Sequence, residues 1–251
     1  MQRLIAIVVL LSFISVKISA QGMRFGFQAS PTFFWMDTDD KFINQSGTAL
    51  GLKLGVRGEA FFAEKYAFTY GLGFSFNSGG TLLHDTGGRF WTKSELSSEA
   101  FRELPDNVKL KYSIRYVELP FSFKMLTNEI FRDFRFFFEA PVISLGIRAQ
   151  GRGDISGAGD LNVEDENINK DVNLFNLSWG LGAGAEYNVR GNTTGDTNLM
   201  FGLFYEQGFT DVTDNDAMKL TKDDMGVIIM EEAEDSRAVI RGLRIFVGVI
   251  F

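Results

Sequence analysis

One histidine, no cysteine and a periodic set of arginines and glutamates bound the chemistry open to this 251-residue chain. A hydrolytic site would need a Ser-His-acid set or a carboxylate–His pair. The one imidazole, His84, lies in Leu82-Leu83-His84-Asp85-Thr86, beside Asp85 but with no serine elbow near it. It reads as a solvated loop histidine, and a hydrolase at a rim built around it is the enzymatic alternative. The absence of cysteine rules out a disulfide scaffold, a thiolate metal site, a cysteine nucleophile and a lipid-modified N-terminal cysteine. Asp211-Val212-Thr213-Asp214-Asn215-Asp216 offers oxygens to Ca²⁺, but its spacing does not complete an EF-hand loop. It reads as solvated charge, with divalent bridging from acidic loops to lipopolysaccharide left open. Gly180-Leu181-Gly182-Ala183-Gly184 and Gly71-Leu72-Gly73 open no helix, so they read as small residues making room for Arg and Glu, not as phosphate loops. The expectation is a non-enzymatic protein with no cofactor and no metal. A net charge of −7 argues against nucleic acid, which needs a basic surface.

The remaining chemistry is ionic. Arg24, Lys53, Arg57, Arg115 and Arg244 fall on polar faces with Glu59, Glu118, Glu139, Glu186 and Glu206. Five cations matched by five carboxylates predict a charge-balanced ion-pair network, which would offset the cost of burying each ion.

The elements that carry these residues alternate. Phe25, Phe27, Ala29, Pro31, Phe33 and Trp35 oppose Arg24, Gly26, Gln28, Ser30 and Thr32, a period of two that predicts a strand with one apolar face. The pattern recurs over 50–62, 68–76, 174–187, 199–208 and 243–251. Two middle segments change parity. In 108–125 the apolar residues pass from Tyr112, Ile114 and Tyr116 to Val117, Leu119, Phe121 and Phe123. In 134–148 they pass from Phe134, Phe136 and Phe138 to Ile143, Leu145 and Ile147. Both changes predict β-bulges, near Tyr116 or Pro120 and at Pro141.

Eight strands follow, with long connections beginning at 36, 77, 149 and 211 and short ones at Ala63-Glu64-Lys65, Leu126 to Asp133 and Arg190 to Thr197. Alternating long and short connections are the layout of an all-β, eight-stranded antiparallel transmembrane β-barrel of up-and-down topology. Composition agrees, with 26 Phe and 27 Gly against 4 Pro. No apolar run after Ala20 is long enough for a membrane helix, so crossing a bilayer requires a closed barrel. An eight-stranded barrel is just wide enough for side chains to fill. The polar face therefore predicts a plugged lumen, with a narrow channel as the rival. Trp35, Phe76, Tyr112 and Trp179 near one set of strand ends, and Phe62, Tyr66 and Tyr187 near the other, predict aromatic girdles. The long connections are acidic and are expected to be mobile, and Val227-Ile228-Ile229-Met230 within the last of them reads as a strand extension above the membrane.

Residues 1–20 read as a secretory signal peptide, with Arg3, an apolar run from Leu4 to Val16 and a Ser19-Ala20 close, followed by a single barrel domain over 21–251.

Two stretches carry a family resemblance. Phe251 after Leu243, Ile245, Val247 and Val249 resembles the terminal strand by which outer-membrane barrels are recognised for insertion, which implies the barrel-assembly machinery as a partner. Tyr116-Val117-Glu118-Leu119-Pro120-Phe121-Ser122-Phe123-Lys124 resembles a stretch of the PorT-like small outer-membrane barrels of Bacteroidota. That resemblance implies a porin-like monomer in the outer membrane of a Gram-negative, Bacteroidota-like bacterium, in contact with outer-membrane lipid. It further implies an accessory role in type IX protein secretion or cell-envelope assembly, with secretion-system or envelope proteins as partners. The alternative is a stand-alone structural or surface-interaction barrel with no secretion role.

Overall fold

The computed structural model describes residues 22–130, 133–157, 161–189, 197–214, 216–222, 225 and 227–251. The expected signal peptide and most of the expected turn from Arg190 to Thr197 lie outside these residues.

Eight long strands close into a ring: β1 (Gly22–Thr38), β2 (Ile43–Ala63), β3 (Tyr66–His84), β5 (Val108–Leu126), β6 (Phe134–Gly157), β8 (Phe175–Val189), β9 (Thr197–Gly208) and β12 (Ala238–Ile250). Every neighbouring pair is antiparallel, and β1 against β12 makes the closing seam, with Gly26 opposite Ile250 and Thr38 opposite Ala238. Among the described residues four short strands lie outside the ring: β4 (Gly88–Arg89), β7 (Leu161–Asn167), β10 (Ala217–Lys222) and β11 (Ile228–Glu234). A closed ring leaves no unpaired edge, which is what allows backbone to sit in hydrocarbon.

The strands outrun a bilayer. β2 has 21 residues and β6 has 24, where about 9–11 tilted residues suffice to cross. The short turns, such as Ala63 to Tyr66, gather at one end of the barrel, here the turn end. Over the half of the barrel nearer that end the outward residues are Phe, Leu, Val and Tyr, exposed in rows on every strand. At the opposite, loop end the same strands reverse their polarity. Along β5 the even-numbered residues Leu110, Tyr112, Ile114, Tyr116, Glu118, Ser122 and Lys124 all face inward or are buried, while Arg115, Leu119 and Phe121 are exposed. The strand therefore keeps one parity throughout, and the solvent outside it changes from lipid to water.

This corrects the reading of 108–125. A register shift does occur between Arg115 and Tyr116, but the extra residue is Ala149 in the partner strand β6. The expected bulge at Pro141 is present, since Ala140 and Pro141 together oppose Leu181, and this carries Phe136 and Phe138 and then Leu145 and Ile147 on the same outer wall.

The connections at the loop end also differ from expectation. The first is a tight turn from Thr38 to Ile43, held by Thr38 Oγ1 donating to the Ile43 carbonyl at 2.6 Å. The others fold into a cap. β4, β10 and β11 form a small separate sheet, so 228–234 extends no barrel strand. Phe90, Trp91 and Leu104 from the 85–107 connection are buried with Val172, Val212 and Ala217 against Tyr112, Ile114 and Ile155 of the barrel. Backbone amides of Lys93 and Ser94 donate to the two carboxylate oxygens of Asp171, both at 2.9 Å. The described parts of these connections thus form a packed plug with its own apolar core.

Candidate functional site

The lumen of the turn-end half is a two-part ionic network. Glu59, with no solvent exposure, takes Arg24 at 2.6 Å, Arg57 at 3.1 Å and Lys124 at 2.7 Å. Arg24 and Lys124 also reach Glu186, at 2.8 and 3.5 Å. Arg57 pairs with Glu139, which also accepts from Ser122 Oγ at 2.8 Å. The second part is centred on Glu206, which holds Lys53 at 2.5 Å and Arg244 at 3.3 Å, and Lys53 reaches Glu118 at 3.0 Å.

Nine of the ten residues expected in this network are in it. Arg115 is not: it sits on the water-exposed outer face of β5 near the loop end. Lys124, fully buried, takes its place and restores the balance of five cations with five carboxylates. Its parity with Glu118 on one unbroken strand was the available signal. The bulge expected at Tyr116 accounts only for Arg115, by turning the odd-numbered residues before it inward.

Each of these cations also stands over a phenylalanine ring. The distances to ring centroids are 4.6 Å for Arg24 over Phe61, 5.6 Å for Lys53 over Phe34 and 5.5 Å for Arg57 over Phe246. They are 5.0 Å for Lys124 over Phe137 and 4.5 Å for Arg244 over Phe204. Such contacts add attraction when the cation is desolvated. They also bear on some glycines of the inner face. A Cβ on Gly182 would lie 2.1 Å from the Phe204 ring, and one on Gly51 would lie 2.6 Å from Phe34. These two glycines thus give room to aromatic rings, and the rings in turn seat cations, Phe204 under Arg244 and Phe34 under Lys53.

Above the ionic layer the lumen is apolar, filled by Phe34, Tyr112, Ile114, Tyr116 and the capping Trp91, whose Nε1 donates to Tyr112 Oη at 3.3 Å. Tyr112 is therefore a core residue and not part of a girdle. The girdles at the turn end do form: Phe62, Tyr66, Phe68 and Phe123 pack on one side and Phe134 against Tyr187 on another. Voids of about 10 Å³ beneath the cap and about 20 Å³ beside Arg57 and Glu139 have room for about one water. The lumen is plugged in both layers.

His84 is buried, at 3% exposure, and not solvated as expected. Its ring centroid lies 4.0 Å from that of Phe90, and neither ring nitrogen has a hydrogen-bond partner among the described residues. Burial, reinforced by the charge of Lys219, lowers the imidazole pKa to about 3, so the ring is neutral in ordinary buffers. A substrate at the rim has no access to it, which removes the geometry that a His84 hydrolase requires. The acidic segment from Asp211 is likewise spent on structure. Asp211 accepts from the Thr213 and Ala238 amides, and Asp214 and Asp216 clasp Lys93 at 2.7 and 2.6 Å. Among the described residues no three His, Asp or Glu side chains converge on a metal position. Phe251 lies on the outer wall, its backbone paired both ways with Phe25.

The profile of the family described as outer membrane protein beta-barrel domain matches residues 16–214. No curated protein matches the chain. Among solved structures, Neisserial surface protein A is 12% identical, with a TM-score of 0.42 over 92% of this chain and 98% of its own. A major outer membrane protein from Thermus thermophilus is 13% identical, with a TM-score of 0.41 over 92% and 100%. The outer membrane protease OmpT from Escherichia coli is 9% identical, with a TM-score of 0.34 over 93% and 97%.

Proposed function

The chain belongs to the outer membrane protein beta-barrel domain family and is a small barrel of the Gram-negative outer membrane; from that premise we propose that it works as a closed, non-enzymatic scaffold, presenting its cap and its turns to other proteins. The single observation behind this reading is the plugged lumen, ionic in one layer and apolar in the next, beneath a folded cap. A barrel sealed in this way has only its two ends left to act with, because its sides are in lipid. The orientation follows family practice, with the short turns periplasmic and the cap outside.

The PorT-like stretch 116–124 points this scaffold toward an accessory role in type IX secretion or envelope assembly in a Bacteroidota-like cell. Its Glu118 and Lys124 serve the lumen network, so the motif supports the barrel itself. Comparing the secreted and periplasmic proteins of a deletion strain with those of its parent tests the role. Cargo retained in the periplasm supports it, and an unchanged inventory removes it. The second reading, a stand-alone surface-interaction barrel, draws on the cap: Lys93 with Asp214 and Asp216, and Ser97 with Glu166, tie separate loops into one fixed surface. A cap-deleted barrel that inserts normally yet loses adhesion or envelope integrity supports that reading.

A further inference from the structure

The lipid-facing wall has a thin place on β2. On β2 the outward row runs Leu50, Leu52, Leu54 and Val56, then drops to Gly58 and Ala60 before Phe62. Gly58 is in register with Phe25 on β1 and Tyr70 on β3, so its bare Cα lies between two rings. Tyr70 takes up that space: a Cβ on Gly58 would be 2.6 Å from its ring. It meets Phe25 edge-on, with centroids 6.4 Å apart at 81°. With Tyr70 laid down on the strand, a hollow of about 460 Å³ is left in the outer wall, bounded by Phe25, Phe27, Val56, Tyr70, Leu72 and Phe251. Its size falls in the range of small-ligand sites, about 300–1,000 Å³.

Position selects the occupant. The hollow lies in the turn-end half of the apolar belt, within the length that these strands use to cross hydrocarbon. The surrounding medium there is acyl chain, and a water-soluble ligand would have to leave water to reach it. A methylene chain is flexible enough to follow the hollow, and it gains dispersion contacts with several walls where a chain on the flat belt has one. We infer that this hollow is a binding site for a single lipid acyl chain, which it retains longer than the rest of the belt retains its neighbours. The inference rests on the membrane setting alone, independent of any role in secretion.

The test uses the full-length barrel in phosphatidylethanolamine and phosphatidylglycerol bilayers doped with a phospholipid bearing a diazirine in its chain. After photolysis, lipid adducts are mapped by peptide mass spectrometry. Labelling several-fold higher at Phe25, Tyr70 and Leu72 than at Phe138, Leu181 and Leu203 across the ring is the expected result. Gly58→Leu pushes Tyr70 into the hollow, and its labelling should fall to the level of the opposite wall. Should that variant fail to fold, Tyr70→Ala deepens the hollow without crowding the strand, and labelling should stay concentrated there. Even labelling around the wild-type belt, or barrel-to-barrel cross-links in place of lipid adducts, overturns the inference. Either result is independent of whether the deletion strain exports its cargo.

Discussion

Acidification from pH 7 to pH 5 should loosen the cap, and His84 is the reason. Its imidazole is held neutral by burial, with a pKa of about 3 in the folded cap, whereas a solvated histidine titrates near 6.5. As pH falls through that interval the opened cap binds a proton that the closed cap refuses, so stability is present above about pH 6.5 and is lost toward pH 3. Between pH 7 and pH 5 the closed form should lose about 2 kcal/mol, roughly a 25-fold rise in the opening equilibrium. Other groups around the site titrate as well. Burial raises Asp211 and Glu234, which favours the closed cap as pH falls, and Asp40 is lowered by its pairing with Lys219 against the effect of burial, which favours opening. His84→Phe isolates the imidazole, since a phenylalanine can stack on Phe90 and leaves no buried nitrogen unpaired. Amide hydrogen exchange over 85–104, corrected for the intrinsic pH dependence of exchange, reads the opening. Wild type should lose protection between pH 7 and pH 5 relative to His84→Phe, and the variant should be the better protected of the two at pH 7. Identical pH profiles would falsify the reasoning.

Glu59→Gln leaves Arg24, Arg57 and Lys124 short of a shared partner and should cost about 3–5 kcal/mol, seen as a lower temperature for the heat-induced shift in gel mobility. Gly182→Val drives a side chain into the Phe204 ring and should cost about 1–3 kcal/mol or more in the same assay. Trp91→Ala should take about 3–5 kcal/mol from the cap core while leaving the barrel inserted, so proteolysis of the 85–107 connection should speed up with no change in gel mobility. In planar bilayers the wild-type barrel should show no conductance above background, and steady single-channel steps would contradict the plugged lumen.

Most of the barrel was legible because lipid enforces a strict rule: along Phe25 to Trp35 or Leu243 to Val249 every second residue must be apolar, and a period of two survives in the sequence alone. The rule changes at the water line, and there parity alone no longer distinguishes the inner face from the outer. Above the belt Tyr112, Ile114 and Tyr116 turn inward for the same reason that Phe121 turns outward, which is to leave water. A change of solvent and an inserted residue leave the same trace in a sequence, so an environmental reversal on β5 looked like a bulge, whereas the similar trace on β6 at Pro141 was a real one. Arg115 was placed inside as a result, whereas Lys124 lay on the inner parity with Glu118 all along. The burial of His84 was not legible, because it depends on Phe90 folding back from a separate connection with no periodicity of its own.

The seam has a consequence for how the molecule comes into being. Gly26 meets Ile250 only when nearly the whole chain is in place, and such a distant contact carries a large loop-closure entropy and forms slowly. The ionic layer spans the same distance, since Lys53 finds Glu206 and Arg24 finds Glu186 only across the nearly finished ring. Before the cylinder shuts, those side chains belong to an open, curling sheet whose inner surface is strongly charged and must stay hydrated. Water has to leave as the last strand docks, so zipping of the seam and drying of the interior are one event.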